Sequence, residues 1–206
     1  MSKKFRIAVL ASTNGTDLQA IIDQIKGRKM KGLELSLVIS NKKNCYALER
    51  AKEQGFDTQF ISTKNKTREE YDQAMIELLD EKKVDLVVLV GFMRILSPLF
   101  VRHFKHRIIN VHPSLLPKYG GAGFHGMNVH EAVLENGDAV TGMTIHFVDE
   151  GCDTGPIIHQ AEVEVEEGDT PQMLKGKVQV LEKRWYPEVI RWIQNGKIVI
   201  GDDDDL

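Results

Sequence analysis

Asn110-Val111-His112 is the stretch whose residue types point most directly to chemistry. Alternate residues of a β-strand face the same way, so on a strand the amide and the imidazole emerge side by side. An asparagine amide is a neutral donor suited to a developing oxyanion, and an imidazole titrates near neutrality and suits proton transfer. The triplet runs into Pro113 and a turn, and in open α/β sheets ligands gather beyond the carboxyl ends of strands. A structural histidine at the same place is an equally good reading of these residues. A second candidate is the polar loop Ser12–Asp17, which ends in Asn14-Gly15-Thr16-Asp17 where a helix begins. Free amides and the positive end of a helix make such a loop a phosphate cradle. With a single glycine it matches no nucleotide fingerprint, and simple capping by Thr16 or Asp17 would explain it as well. A third is the turn Asp149–Gly155. Brought against His112, the Asp153 carboxylate would raise the imidazole pKa and favour its charged, donating form. The plainer alternative is a turn aspartate that bonds its own backbone.

Other chemistries find little support. His125 and His130 share no helical face, and His130-Glu131 lacks the second histidine of a zinc-protease motif. No serine sits in a nucleophile elbow. The sequence therefore predicts no metal site.

The elements that would position these groups follow from hydrophobic spacing. Arg6–Ala11, Leu33–Ser40, Thr58–Ser62 and Val84–Val90 read as strands. Between them, Leu18, Ile21, Ile22 and Ile25 mark one helix, and Cys45–Gln54, stopped by Gly55, a second. Thr67 and Glu70 form a capping box for a third, with Tyr71, Ala74, Met75, Leu78 and Leu79 on its inner face. Strands alternating with helices imply right-handed βαβ units and a parallel, Rossmann-like sheet. Residues 1–105 make up this half, with Gly91-Phe92-Met93-Arg94 at the same sheet edge as Asn110.

Residues 106–200 are less regular. Arg107–Val111 is a short strand, and Tyr119–Gly126, with four glycines, is expected to be a flexible loop. Val129–Leu134 is a helix closed by Asn136-Gly137, and Thr141–Val148 and Pro156–Val165 are two strands. Thr170-Pro171 starts a long helix with Leu174, Val178, Leu181, Trp185, Val189 and Trp192 as its apolar face. Asn195-Gly196 ends it, Lys197–Ile200 reads as a terminal strand, and residues 201–206 are an acidic, solvated tail.

The 206 residues carry 42% hydrophobic and 28% charged side chains, the balance of a globular protein with one good core. A net charge of -3 with scattered basic residues argues against nucleic acid or anionic lipid as a partner. Two cysteines, Cys45 and Cys152, are too few for a disulfide framework and fit reduced thiols in the cytoplasm. The N-terminus lacks the pattern of a signal peptide, and no run of apolar residues is long enough to span a bilayer.

Three segments together resemble a known family. Gly91-Phe92-Met93-Arg94-Ile95-Leu96-Ser97, Asn110-Val111-His112-Pro113-Ser114-Leu115-Leu116-Pro117 and Gly142–Gly155 stand in the order and spacing of the phosphoribosylglycinamide formyltransferases of purine biosynthesis, in their single-domain bacterial form. The resemblance covers nearly the whole chain. It implies a single domain with a three-layer α/β formyltransferase fold, a mostly parallel mixed sheet with a Rossmann-like N-terminal half. It also implies formyl transfer from 10-formyltetrahydrofolate to the amine of glycinamide ribonucleotide, with no metal, in a monomer or homodimer. Asn110, His112 and Asp153 would be catalytic, and Gly15, Thr16, Asp17 and Glu182 would bind the phosphoribosyl substrate. Arg68, Met93, Arg94, Ile95, Leu96, Asn110 and the turn Asp149, Glu150, Gly151, Cys152 and Asp153 would bind the folate. Many members carry Asn where this chain has Asp17, which sets a carboxyl beside the expected phosphate.

In this scheme Asn110 and protonated His112 donate to the oxyanion, and Asp153 keeps His112 charged. Methionyl-tRNA and amino-sugar formyltransferases share the Asn-x-His and Ser-Leu-Leu-Pro core, and the hydrolase of formyltetrahydrofolate is a further cousin. The tRNA enzymes usually carry an extra nucleic-acid domain, which this sequence lacks after its long helix. A non-catalytic Rossmann-type binding domain would explain the sheet and the phosphate loop but not the trio.

Overall fold

The computed structural model describes residues 4–198. Thirteen elements follow one another: β1 (Phe5–Ala11), α1 (Thr16–Lys26), β2 (Leu33–Ser40), α2 (Tyr46–Glu53), β3 (Thr58–Phe60), α3 (Arg68–Glu81), β4 (Leu86–Val90), α4 (Pro98–His103), β5 (Ile108–His112), α5 (Met127–Glu135), β6 (Val140–Phe147), β7 (Ile157–Glu164) and α6 (Pro171–Gln194). The strands form one seven-stranded sheet in the order β3-β2-β1-β4-β5-β6-β7. Neighbours from β3 to β5 pair in parallel, and β5–β6 and β6–β7 pair antiparallel. The α/β, mixed-sheet expectation is met, and the sheet runs unbroken from the Rossmann-like half into the hairpin β6–β7.

Strand alternation sorts side chains into two cores. Ile7, Val9 and Ala11 of β1 and Leu86, Val88 and Val90 of β4 pack with α1, α2 and α6. Ala8, Leu10, Val87 and Leu89 face the other way, onto Tyr71, Met75 and Leu79 of α3 and Phe100, Val101 and Phe104 of α4. Helices thus cover both faces, giving three layers. Chain order reverses between β1, with β2 and β3 on one side, and β4, with β5 on the other. The loops after β1 and β4 therefore part at a crevice.

The helix ends follow their local chemistry. The Thr67 hydroxyl accepts from the Glu70 N–H at 3.1 Å, and the Glu70 carboxylate accepts from the Thr67 N–H at 2.7 Å, completing the capping box. Thr170 caps α6 by accepting from the Met173 N–H, with Pro171 in the first turn.

Three expectations need correction. Pro98–His103 forms a short helix that hydrophobic spacing passed over; Ser97 caps it, and the Ser97 N–H donates to Asp72. The inner face of α6 is rotated from the apolar stripe. Leu174, Val178 and Val189 are buried as expected, but Glu182, Tyr186, Ile190 and Ile193 complete the core face. Leu181, Trp185 and Trp192 are half-buried, and the two tryptophans stack with His159 of β7. The reason is that α6 covers a site as well as a core, so polar groups share its inward face. Lys197 and Ile198 form a bend rather than the start of a strand; the rest of that predicted strand and the acidic tail lie outside the described residues.

Candidate active site

The loops after β1, β4 and β5, the glycine-rich loop, the turn after β6 and one face of α6 enclose a cavity of about 570 Å³, a size suited to a small-molecule ligand. Ser12 and Met93 bring two of these loops together: the Ser12 N–H donates to the Gly91 carbonyl at 3.2 Å, and the Met93 N–H donates to the Ser12 hydroxyl at 3.0 Å.

One end of the cavity is the start of α1. Gly15 is its N-cap, in the left-handed conformation at φ 66°, and no side chain caps the helix. A Cβ at Gly15 would lie 2.8 Å from the Cβ of Ala47, so any larger residue would collide with α2 as well as strain the backbone. The capping alternative for Thr16 and Asp17 thus fails: the first-turn amides keep their free N–H groups, and the positive helix end faces the cavity.

Asn110 and His112 lie on β5 with Val111 turned into the core, as alternation requires. The antiparallel register sets His146 of β6 opposite Asn110 and Thr144 opposite His112. The His146 Nδ1–H donates to the carbonyl of Phe147 at 2.8 Å, which leaves Nε2 as an acceptor for the Asn110 amide at 3.3 Å. One amide N–H of Asn110 is so fixed, and the other remains for a ligand. His146, buried and lining the cavity, had no place in the sequence reading. Its signal was there: Thr144 and His146 repeat the alternate polar pattern of Asn110 and His112.

Asp153, in a left-handed conformation at φ 58°, brings its carboxylate to this pair. Oδ2 lies 3.4 Å from His112 Nδ1 and accepts from the Gly121 N–H at 3.1 Å; Oδ1 lies 3.6 Å from His146 Nε2. Burial pushes the Asp153 carboxyl up, but His146, His112 and the Gly121 N–H outweigh it, so its pKa is lowered. His112 departs from expectation. Burial lowers its pKa first and foremost; Asp153 and the Tyr119 carbonyl oppose that shift without reversing it, and His146 adds to it. His112 is therefore held toward its neutral form, and Asp153 limits the loss of charge rather than enforcing it. Its Nε2 also donates to the Tyr119 carbonyl at 2.6 Å rather than standing free.

The glycine-rich loop is held more firmly than its composition suggests. The Tyr119 hydroxyl donates to Asp138 at 2.7 Å, the Tyr119 ring meets Phe124 edge-on, and Gly121 is tied to Asp153. The Ser114–Pro117 turn before it is anchored to the hairpin. Thr144 Oγ donates to the Ser114 carbonyl and accepts from the Leu116 N–H, and Gln160 of β7 donates to the Leu116 carbonyl.

Of the residues expected at the site, Gly15, Thr16, Asp17, Met93, Arg94, Ile95, Leu96, Asn110, His112, Asp149, Gly151, Cys152, Asp153 and Glu182 all line this one cavity. Two do not. Arg68, in the first turn of α3, lies 3.5 Å from Glu69 and is not part of the lining. Glu150 turns outward to a two-pronged ion pair with Arg102, at 2.7 and 3.1 Å. Both were expected at the site from the family resemblance alone, and an exposed partner satisfies each. Cys152 and Cys45 are free thiols; burial and the Asp153 charge push the Cys152 thiol up, which keeps it protonated. Asp17, in the first turn of α1, and Glu182, on the inner face of α6, are buried carboxyls that line the cavity. Asp17, with Oδ1 lacking a hydrogen-bond partner among the described residues, is pushed up to about 6 by burial against the pull of Lys183. Glu182 is pushed up to about 8 by burial and by Asp17. No group of three or more His, Cys, Asp or Glu among the described residues is arranged to hold a metal ion, and no helix is long and apolar enough to cross a membrane.

The arrangement offers an anion cradle, a fixed amide donor and a carboxylate–imidazole couple within one cavity. The chain as a whole is similar to known proteins. The profile of the formyl transferase family matches residues 5–190. The phosphoribosylglycinamide formyltransferase of Escherichia coli (strain K12) is 46% identical over 96% of this chain and 91% of its own length. The trifunctional purine biosynthetic protein adenosine-3 of Homo sapiens is 41% identical over 99% of this chain, which spans 20% of that larger protein. The crystal structure of glycinamide ribonucleotide transformylase 1 from Symbiobacterium toebii superposes with a TM-score of 0.90 at 40% identity, over 98% of this chain and 92% of that one. By profile, by sequence and by fold, this chain belongs to the formyl transferase family.

Proposed function

We propose that the chain is a phosphoribosylglycinamide formyltransferase, moving a formyl group from 10-formyltetrahydrofolate to the amine of N1-(5-phospho-D-ribosyl)glycinamide in purine biosynthesis. The observation that carries this reading is that one cavity gathers three kinds of group: the uncapped start of α1, exposed Met93 and Ile95 with residues of the Asp149–Asp153 turn, and the trio Asn110, His112 and Asp153. A phosphate suits the first, a flat heteroaromatic ring the second, and a transferring carbonyl the third. Two free thiols agree with a reducing, cytoplasmic setting.

Each residue then has a task. As the substrate nitrogen bonds to the formyl carbon, the carbonyl oxygen gains negative charge, and the free N–H of Asn110 donates to it. The Asp153–His112 couple takes the proton that the attacking nitrogen releases; a neutral imidazole beside a carboxylate is a base in waiting, not a spent acid. The same couple returns that proton to the departing folate nitrogen as its bond to the formyl carbon breaks. His146 keeps the Asn110 amide aimed, and Gly121 and Tyr119 hold the two members of the couple. Burial withdraws the trio from water, which strengthens each of these interactions. The Asp153 turn serves both chemistry and the folate end.

The test offers glycinamide ribonucleotide, methionyl-tRNA and an amino-sugar nucleotide in parallel, with 10-formyltetrahydrofolate as donor. The expected result is rapid transfer to glycinamide ribonucleotide alone. Preference for either other acceptor would overturn the assignment.

A further inference from the structure

Asp17 and Glu182 present a problem of charge at the end of the cavity meant for an anion. Both are at most 7% exposed, Asp17 in the first turn of α1 and Glu182 on the inner face of α6, and both line the cavity. Two ionised carboxylates buried together need a donor or a cation to be stable, and no side chain among the described residues pairs with them. The Tyr186 hydroxyl, one turn along α6, donates to the Leu89 and Ile109 carbonyls at 2.7 and 3.0 Å and is not free for the pair. Lys175 and Lys183 attract the pair from exposed positions on α6, but neither makes an ion pair with it among the described residues. Arg50 of α2 is engaged by the Asn14 carbonyl and Gln19. His130 of α5 faces the same cavity, but its pKa is pushed down to about 4, chiefly by burial, so it is neutral. The Asp17 Oδ1 atom is left buried and without a partner among the described residues.

A proton resolves the conflict. We infer that Asp17 and Glu182 share a proton at neutral pH, and that this carboxyl pair selects its ligand by charge, accepting a phosphate-bearing sugar while protonated and repelling it once both groups are ionised. The protonated carboxyl is a donor where a carboxylate could only accept, so it adds to the free amides of α1 instead of opposing them. The direction of the pKa shifts agrees: burial pushes Asp17 up to about 6, and burial together with the Asp17 charge pushes Glu182 up to about 8. The inference rests on the phosphoribosyl reading of this end of the cavity.

The probe is ribose 5-phosphate, bound by wild type, Asp17→Asn and Glu182→Gln and followed by calorimetry from pH 6.5 to pH 9. Asparagine and glutamine keep the shape while removing one titrating group, and circular dichroism confirms that each variant folds. The ratio of the wild-type Kd to a variant Kd cancels the titration of the ligand. It should rise by roughly tenfold across this window, the effect of about one pKa unit of coupling between ligand and pair. Wild type should also take up a proton on binding near pH 8.5, seen as heat that depends on the buffer, and Asp17→Asn should take up less. A ratio that stays flat, or that falls with pH as a cation-binding pair would require, overturns the shared proton. If wild type binds ribose 5-phosphate at no pH, the phosphate end itself is wrong, and this inference falls with it.

Discussion

Asp153 and Asp17 are both carboxyls withdrawn from water at the rim of one cavity, yet the first is held below the ordinary carboxylate range and the second is pushed up to about 6. Burial acts on both in the same direction. The difference lies in what each meets: the Gly121 N–H and two imidazoles for Asp153, and for Asp17 only the pull of exposed Lys183, too weak to offset burial. One fold thus lowers the pKa of one buried carboxyl and raises that of another in the same cavity. The lesson is that the sign of a buried group's shift is set by its polar and charged neighbours, which a residue's identity and depth do not reveal.

The largest effects should fall on the reaction. Asn110→Ala removes the oxyanion donor and should lower turnover by about 10²–10³ with the fold intact; near-normal turnover would refute the role. Asp153→Asn should lower turnover by a large factor and also move the acid limb of the pH–rate profile. A neutral His112 is needed as base, and Asp153 is the group that raises its pKa, so without the carboxylate the limb should shift to lower pH. An acid limb that stays in place would mean that the Asp153 carboxylate does not act through His112.

Effects on stability should be smaller. Tyr186→Phe abandons two buried carbonyls at the base of the site and should cost about 1–2 kcal/mol in denaturant unfolding. Asp17 and Glu182 bind protons more tightly in the folded chain, so their stabilisation is complete near pH 4 and is lost as pH climbs through about 6 and about 8. Wild type should therefore lose Tm between pH 5 and pH 9, and Asp17→Asn should lose less. Least of all, Arg102→Ala breaks only an exposed ion pair and should leave both Tm and turnover unchanged.

The same contrast explains which features could be read from the sequence. Features that depend on a few neighbouring residues were legible: the Thr67–Glu70 capping box, the start of α6 at Thr170-Pro171, and Asn110 and His112 on one face of β5. The helix Pro98–His103 was within reach too, since Ser97-Pro98 is a cap followed by an N1 proline, but its six residues are too short to show a period. His146 was missed because its partner, Asn110, is 36 positions away and meets it only through strand register. Glu182 and Tyr186 were known as residues, but their share of the inner face of α6 could not come from counting apolar side chains. The charge of His112 was misjudged for a related reason: its Asp153 partner was foreseen, whereas the depth of its burial was not.

Difference infrared spectroscopy at pH 7 tests the central contrast most directly, by comparing wild type with Asp17→Asn and with Asp153→Asn. Asp17→Asn should remove or shift the carbonyl stretch of a protonated carboxylic acid, while Asp153→Asn should remove only carboxylate bands. A protonated-acid signal lost with Asp153, or none lost with Asp17, would contradict that contrast.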